Sequence, residues 1–338
     1  MSTTPGISRR GFLLRGLAAS SLCAVGESAL VQGGERLAVR IASNQGVENA
    51  TLQRLMLDCG LLGKLALDAR LVPSRTVSGP LHLLLADEAD ICMVSSYVGV
   101  LPAIERGADV RLVGAAMLLP ALAVYTRRQD LLRVEELAGR TVGVGPKEGL
   151  LRLLMTALLR KKGIDPCDVR FVDIGSNVEV FKAVADGRVD AGLSGIAGLA
   201  HLPQVRVLEG GRLWRELPEY TYQPAYASVR ALRERAHALA RCLAGYAMLF
   251  RYLSGPNSQE RYLAARRQAD GAAGAAAGKA IWQFIQKHHP YALGLGLAPR
   301  RVAYLQQLNV ALGLQSRVLP FEKVADMSPA RAAGRYLA

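Results

Sequence analysis

The sequence is poor in residues that form covalent or metal cross-links. Its 338 residues include five cysteines and five histidines, and the cysteines show no close spacing. It lacks the zinc-protease motif H-E-x-x-H, and G-L-S-G at 192–195 departs from the nucleophile motif G-x-S-x-G because glycine follows serine directly. These shortages argue against a disulfide scaffold and the common hydrolase sites. We therefore expect isolated thiols, no metal and no cofactor.

Long apolar runs are also missing after the N-terminus. The longest uncharged run, 112–126, contains Pro120 and is shorter than the roughly 20 residues that a membrane-spanning helix needs. The chain nevertheless has 51% hydrophobic and 21% charged residues, which is enough for a substantial core. Its length of 338 residues favours two domains of moderate size.

Acidic residues are scarce relative to basic ones. The chain has 28 acidic and 42 basic residues, which gives a formal net charge of +14. A nucleic-acid-binding face would cluster its basic residues, whereas here they form only short groups such as Arg127-Arg128, 160–162 and Arg300-Arg301. The pattern argues against a nucleic-acid partner. It favours a generally basic surface that attracts small anionic molecules.

The N-terminus carries an export pattern. Residues 8–14 read S-R-R-G-F-L-L and open a mildly apolar segment, which is the arrangement of a twin-arginine signal. Leu22 directly before Cys23 argues against lipoprotein attachment, which requires small residues there. We expect residues 1–34 to be a removable signal peptide and the mature protein to be periplasmic.

From residue 36 onward, strand-like and helix-like patterns alternate. Such alternation predicts parallel strands joined by helical crossovers, and hence open α/β sheets. The predicted strands are 37–43, 68–74, 90–96, 108–116, 141–145, 168–175 and 188–195, and the predicted helices are 49–62, 81–86, 98–106, 150–162 and 178–185.

Two segments of the sequence share a similar pattern. Residues 86–96 read ADEADICMVSS and residues 185–195 read ADGRVDAGLSG. The repetition predicts two equivalent lobes, each with a third strand that ends in serine at the same edge of its sheet. Ligands bind beyond the carboxyl ends of such strands, so two facing lobes form a cleft. We expect the chain to cross between the lobes at 121–126 and 224–229, where hinge closure would occur.

These features resemble a known family. The segments that carry the likeness are 83–115, 134–164, 181–195 and the tail at 302–314 and 319–331. Together they are similar to the periplasmic substrate-binding proteins of ABC importers, in the group that binds sulfonates, taurine, nitrate and thiamine-precursor pyrimidines. The likeness covers about 300 residues, essentially all of the mature chain.

The resemblance implies a two-lobed fold of the type II-like periplasmic-binding class. Lobe one would comprise 36–121 and 228–338, and lobe two would comprise 122–227. Each lobe would be an open, mostly parallel sheet flanked by helices. The implied partners are a small ligand and the permease subunits in the inner membrane, and the implied state is a monomer.

Two departures from the family and two rival functions remain open. The first helix lacks the family's Gly-aromatic step, and 146–149 (P-K-E-G) replaces a run of Gly, Ser and Thr.

A cleft enzyme of this fold, resembling the menaquinone-pathway enzymes or the pyrimidine synthase, is one rival function, and a secreted ligand sensor is another. The export signal and the lack of a Cys-rich or His-centred cluster favour a binding protein that is not an enzyme.

The predicted site gathers residues that follow strand ends. Hydroxyls and amides at Ser95 and Ser96 would hold an oxyanion from lobe one, and the 147–149 turn would approach from lobe two. Lys147 would pair with that oxyanion unless Glu148 directs it to solvent. Tyrosines near a crossing serve either as a wall for the ligand or as hinge packing. The predicted ligand-binding residues are Asn44, Gln45, Gly46, Arg75, Thr76, Ser95, Ser96, Tyr97, Lys147, Glu148, Gly149, Asn177, Ser194 and Tyr222.

The export prediction is tested by replacing Arg9 and Arg10 together with lysine. The twin-arginine route recognises the guanidinium pair, which lysine does not reproduce, so the precursor should stay in the cytoplasm. Cell fractionation with immunoblotting measures its location. Accumulation in the periplasm at the wild-type level would contradict the signal assignment.

Overall fold

The computed structural model describes residues 36–337, except 45, 75, 77–78, 96, 198–202 and 272–273. The predicted export signal lies outside the described residues. Within the described part, none of the helices has both the length and the apolar character needed to cross a bilayer. The four cysteines in this part, Cys59, Cys92, Cys167 and Cys242, are free thiols.

Strands and helices alternate as the sequence pattern predicts. In chain order the strands are β1 (Leu37–Asn44), β2 (Leu67–Ser74), β3 (Ile91–Cys92), β4 (Val110–Met117), β5 (Leu122–Thr126), β6 (Thr141–Val144), β7 (Arg170–Asp173), β8 (Ala191–Gly195), β9 (Arg206–Arg212) and β10 (Gln223–Ser228). The helices are α1 (Val47–Asp58), α2 (Leu61–Lys64), α3 (Gly79–Leu85), α4 (Val100–Glu105), α5 (Leu150–Lys161), α6 (Asn177–Ala185), α7 (Leu213–Glu216), α8 (Val229–Glu234), α9 (Ala236–Ser254), α10 (Gln259–Asp270), α11 (Gly274–His288), α12 (Pro299–Ala311), α13 (Phe321–Val324) and α14 (Ser328–Ala333).

The strands form two sheets with matching topology. The first has the order β2-β1-β3-β10-β4, and the second has the order β7-β6-β8-β5-β9. Among the described residues, β10 is the one antiparallel strand of the first sheet and β5 is that of the second. Each of them directly follows a passage of the chain from the other sheet. We call each sheet, with the helices packed on it, a lobe. The predicted two-lobed, mostly parallel α/β fold is confirmed.

Both sheets turn the carboxyl ends of their parallel strands toward the places where the chain passes between them. β5 begins opposite the end of β8, where Leu122 pairs with Gly195. β10 likewise begins opposite the end of β4, where Gln223 pairs with Met117. Because each antiparallel strand starts at a passage, the ends of its parallel neighbours lie there too. This is the edge at which open α/β sheets place a ligand.

The passages themselves differ from the prediction. The segments expected to cross, 121–126 and 224–229, instead supply β5 and β10, because their extended backbones complete the two sheets. The connections are residues 118–121, the first crossing, and residues 217–222, the second crossing. The predicted lobe boundary at 227/228 therefore falls inside a strand of the first sheet.

The third strand of the first sheet is shorter than the sequence predicts. Only Ile91 and Cys92 are paired, whereas 90–96 reads as one extended run. Val94 has a φ of 53°, in the left-handed region that branched residues rarely adopt, so the chain leaves the ladder there. Such a backbone outlier often marks a functional site.

A repeated aspartate fixes the central strand of each sheet. The Asp90 N–H donates to the Arg40 carbonyl at 2.8 Å, and the Asp90 carboxylate accepts the Arg40 N–H at 2.7 Å. In the second sheet Asp190 and Thr141 form the same two bonds, at 2.9 and 2.8 Å. Each aspartate thus aligns the start of β3 or β8 with β1 or β6. This shared bonding explains why the sequence repeats an aspartate before a short apolar run.

Asp90 is also a buried charge with two guanidinium partners. The residue is 1% exposed, and its carboxylate lies 2.7 Å from Arg40 and 3.3 Å from Arg235. Asp190 is less buried and pairs with Arg128 at 3.1 Å. A buried carboxylate needs such partners because desolvation strongly disfavours an unpaired ion. The first lobe therefore depends on its aspartate more than the second lobe does.

The C-terminal third of the chain holds both crossings. The Leu118 N–H donates to the Pro290 carbonyl at 2.6 Å, and the Leu118 carbonyl accepts from Arg301 at 3.3 Å. Arg300, beside it at the start of α12, pairs with Glu219 of the second crossing at 3.0 Å. The adjacent arginines noted in the sequence therefore each hold one crossing.

A second contact joins α11 of the first lobe to α7 of the second. The ring of Trp214 lies edge-on to Phe284, with centroids 5.1 Å apart, and 5.5 Å from His288. Burial, then the positive charges of Lys287 and Arg215, lower the pKa of His288. This contact therefore favours the neutral form of the imidazole.

Replacing Asp90 with alanine should lower the free energy of unfolding by about 3 to 5 kcal/mol, because Arg40 and Arg235 lose a buried counter-charge. Asp190→Ala is the matched control, and we expect a loss of about 1 kcal/mol because its carboxylate is nearer solvent. Urea unfolding followed by circular dichroism measures both values. Equal losses in the two variants would contradict the role given to Asp90.

Candidate functional site

The first lobe presents a polar group where β1 and β3 end. Asn44 Nδ2 donates to Ser95 Oγ at 3.1 Å, and Asn44 Oδ1 accepts the Gly46 N–H at 3.1 Å. Asn49 Nδ2 donates to the Asn44 carbonyl at 3.3 Å and holds this turn from α1. The left-handed Val94 directs Ser95 toward Asn44. Three predicted site residues, Asn44, Gly46 and Ser95, are thus brought together.

Helix α1 opens at this polar group. Gly46 is its N-cap and no side chain caps the helix, so the N–H groups of its first turn have no side-chain acceptor at the cap. The helix dipole favours negative charge at this end. Glu48 occupies the first turn and supplies such a charge. Sequence reasoning did not single out Glu48.

The second lobe presents Ser194 at the end of β8. Its hydroxyl donates to the Asn177 carbonyl at 2.6 Å, which brings these two predicted residues together. Asn177 opens α6, whose first turn is already capped: Ser176 Oγ accepts the Glu179 N–H at 3.4 Å and Glu179 accepts the Ser176 N–H at 2.7 Å. Fewer N–H groups are therefore free to bind a ligand at the start of α6 than at the starts of α1 and α5.

The turn before α5 is open. Lys147 and Glu148 are exposed, and neither forms an ion pair with another described residue. The Gly149 N–H donates to the Pro146 carbonyl at 2.7 Å, and Gly149 caps the helix in extended conformation with no side-chain acceptor. Lys147 thus stands beside an uncapped helix start, where a cation and free amides both favour an anion.

Two tyrosines, Tyr97 and Tyr220, pack at the second crossing. The Tyr97 hydroxyl donates to the Thr221 carbonyl at 2.6 Å, and its ring centroid lies 6.4 Å from that of Tyr220. Burial raises the pKa of Tyr97 well above its usual value. The position of Tyr97 fits hinge packing. Tyr222, two residues after Tyr220, is half-buried and contributes to a different group.

Three predicted residues, Gln45, Arg75 and Ser96, lie outside the described residues. Thr76 is exposed, and its carbonyl accepts from Ser74 Oγ at 3.1 Å at the end of β2. This bond places Thr76 at the correct edge of the first sheet. Among the described residues, no hydrogen bond joins Thr76 to Asn44 or Ser95.

A group that the sequence did not reveal lies beside the start of α1. We call it the Glu48 cluster: Glu48, Tyr222, Tyr262, Arg266 and Tyr291. Arg266 forms an ion pair with Glu48, and the Tyr262 hydroxyl lies 3.5 Å from the same carboxylate. Burial, and after it the charge of Glu48, raises the pKa values of Tyr222 and Tyr291. Its members come from α1, the second crossing, α10 and the segment after α11, so no local motif reveals the group.

The groups at these strand ends are hydrogen-bonding and charged side chains. In the described ranges, no group of three or more His, Cys, Asp and Glu residues is arranged to hold a metal. The thiol of Cys92, at the end of β3, has its pKa raised to about 12 by burial, which makes it a poor nucleophile. What the site offers is hydroxyls, amides, a lysine and the Glu48 cluster.

Sequence comparison supports the family resemblance over part of the chain. Residues 63–209 match the family model described as NMT1/THI5 like. This region runs from the first lobe through most of the second. No curated protein sequence matches the chain.

Comparison with solved structures extends the likeness to most of the chain. The periplasmic aliphatic sulphonate-binding protein of Escherichia coli superimposes with a TM-score of 0.71 at 18% identity, over 86% of this chain and 92% of that one. The alkanesulfonate-binding protein of Xanthomonas axonopodis pv. citri, bound to MOPS, gives a TM-score of 0.68 at 17% identity, over 87% and 99%. The desulfurization enzyme DSZB gives a TM-score of 0.62 at 16% identity, over 89% and 100%.

These likenesses agree with the sheet topology. Two five-stranded, mostly parallel sheets with exchanged antiparallel strands match the sulphonate-binding proteins over nearly their whole length. An enzyme shares the same architecture, so the fold leaves the choice between binding and catalysis to the site. The chain has the periplasmic-binding-protein fold, and its resemblance to the substrate-binding proteins of ABC importers is confirmed at that level.

Proposed function

We propose that this protein is an extracytoplasmic solute-binding protein. It captures a small anionic ligand of the sulfonate, nitrate, taurine or pyrimidine-like class between its lobes and delivers it to an ABC permease. The observation that carries the proposal is the pair of matching sheets whose carboxyl ends both lie at the crossings. Uncapped helix starts and the Asn44–Ser95 pair stand at those ends.

Capture follows from the division of the site between two lobes. An oxyanion bound to the Asn44–Ser95 group meets the Lys147 turn only when the lobes approach each other. A ligand that contacts both lobes stabilises the closed state by its differential affinity for that state. Closure thus reports occupancy to the permease. The similarity to two sulphonate-binding proteins supports this assignment.

A cleft enzyme is the second candidate, and the likeness to the desulfurization enzyme favours it. Cysteine catalysis requires a reactive thiolate, and burial keeps Cys92 protonated. Cys242 is buried as well, and its pKa is also raised to about 12. Binding without chemistry therefore fits the described residues better. The predicted twin-arginine signal supports a periplasmic location as part of this proposal.

A ligand screen with a scattering measurement tests this function. The mature protein is screened by thermal shift against alkanesulfonates, nitrate, taurine and pyrimidines, because a ligand that binds only the native state raises stability by RT ln(1 + [L]/Kd). We expect one class to raise the Tm and to reduce the radius of gyration as the lobes close. Conversion of that ligand into a product would favour the enzyme instead. A Tm shift without compaction would contradict closure.

Lys147 is tested by alanine substitution. If Lys147 pairs with the ligand inside the closed site, Lys147→Ala should weaken binding by about 2 to 5 kcal/mol. Lys279→Ala, on α11, is the control and should change binding by less than about 1 kcal/mol. Calorimetric titration with the ligand from the screen measures both. An unchanged Kd would remove Lys147 from the site and leave the two-lobed function intact.

A further inference from the structure

His288, the last residue of α11, takes part in an aromatic contact between the two lobes. Its imidazole centroid lies 5.5 Å from the ring of Trp214 on α7 and 4.9 Å from that of Phe284 on its own helix. Helix α7 packs on β9 and β5 of the second sheet, whereas α11 packs on α9 and α10 of the first lobe. The imidazole is half-buried and therefore belongs to the packing that joins one lobe to the other.

This contact stands beside both crossings. Helix α7 ends at Glu216, and the second crossing begins at the next residue. Pro290, two residues after His288, accepts the N–H of Leu118 from the first crossing at 2.6 Å. A movement of one lobe against the other passes through these two segments. The contact between His288 and Trp214 is thus placed where it can restrain that movement.

Ring packing, and not a hydrogen bond, holds the indole at this contact. Trp214 is 8% exposed, and its Nε1 is buried without a hydrogen-bond partner among the described residues. Phe284, which completes the group, is also buried. A charged imidazole needs hydration that such packing excludes. Protonation of His288 and close packing against Trp214 therefore oppose each other.

The charged groups around the imidazole have the same sign as its protonated form. Burial first, and then the positive charges of Lys287, Arg215 and His289, lower the pKa of His288. Lys287 and His289 come from α11 and the residue after it, and Arg215 comes from α7. Among the described residues, the groups that shift this pKa include no carboxylate.

Two features could favour a positive charge at this position, and both are already engaged. The C-terminal end of a helix dipole attracts cations, and Lys287 supplies one in the last turn of α11. Glu216 is the acidic residue of α7, and it pairs with Lys161 and Lys162 at the end of α5. A further positive charge on His288 would therefore meet like charges without a counter-charge committed to it.

We propose that His288 is a pH-sensitive contact between the lobes, which packs on Trp214 when neutral and separates α11 from α7 when protonated. The sign follows from proton linkage. A solvated imidazole has a pKa of about 6.5, whereas that of the packed imidazole is lower, so the separated state binds the proton more readily. The contact is fully present above about pH 6.5 and weakens as the pH falls through the lowered pKa.

The consequence concerns the movement of the lobes. A protein that captures a solute between two lobes depends on how readily they approach and separate. A contact that acid removes makes that movement depend on the pH of the surrounding compartment. The effect goes beyond the proposed function because it needs no ligand. It holds whichever solute the cleft binds.

The test uses the fluorescence of Trp214 in the mature protein. The sequence has two tryptophans, so Trp282→Phe leaves Trp214 as the single emitter. On titration from about pH 8 to about pH 5, its emission should shift to longer wavelength as water reaches the indole, in a transition that fits one proton. If Trp282→Phe does not fold, the difference spectrum between the wild type and His288→Phe gives the same information.

Three variants assign the transition. His288→Phe keeps a neutral ring and should abolish the shift, and His288→Lys carries a fixed charge and should show the acid-form emission already at about pH 8. His289→Gln is the matched control, because this neighbouring imidazole is exposed and should leave the transition in place. Over the same range, small-angle scattering should show a larger radius of gyration for the wild type at acid pH, and its Tm should fall by a few degrees relative to His288→Phe.

The other outcomes contradict the proposal. Constant Trp214 emission across the range would show that the contact survives protonation, and a transition that persists in His288→Phe would assign the titration to another group. Loss of the transition in His289→Gln would make the neighbouring imidazole the titrating residue. A shift in emission with an unchanged radius of gyration would confine the effect to the rings. None of these results bears on whether the protein binds a solute, which the ligand screen tests separately.

Discussion

The pairing of an aspartate with the backbone of the neighbouring strand is the interaction on which both lobes depend. Asp90 closes a two-bond ring with Arg40, and Asp190 does the same with Thr141. These rings set where the central strands begin and therefore where they end. Ser95 and Ser194 take their places at the carboxyl edges as a consequence. Loss of the ring in the first lobe would free β3, whose ladder is only two residues long.

The two lobes use the same plan but prepare different chemistry. In the first, the uncapped start of α1 lies beside the Asn44–Ser95 pair, so the surface offers amide and hydroxyl groups. In the second, the Ser194 hydroxyl donates to the Asn177 carbonyl at the start of α6. The unpaired donors therefore lie at the uncapped start of α5 and at Lys147. The duplicated architecture therefore supports an asymmetric site.

The sequence predicted the architecture well because that information is local. Alternating strand and helix periods, and the repeated phrase around Asp90 and Asp190, each involve few neighbouring residues. The crossings were misplaced because β5 and β10 look like extended connectors, and only pairing partners far away make them strands. The Glu48 cluster was missed for the same reason: Arg266 comes from a helix more than two hundred positions later. A charged residue on an amphipathic helix carries no local sign of its partner.

The contacts between the C-terminal third of the chain and both crossings affect how the two lobes can move. Leu118 contacts Pro290 and Arg301, and Glu219 pairs with Arg300, so movement at either crossing would change these contacts. The flexing part of the molecule is thus a joint braced by α12, and its stiffness is set by contacts remote from any ligand. Changes along α11 and α12 would then tune how readily the protein opens, and with it the rate of ligand release, while leaving every ligand-contacting atom untouched. In such a molecule, the contacts at the crossings and the residues at the strand ends can change independently of each other.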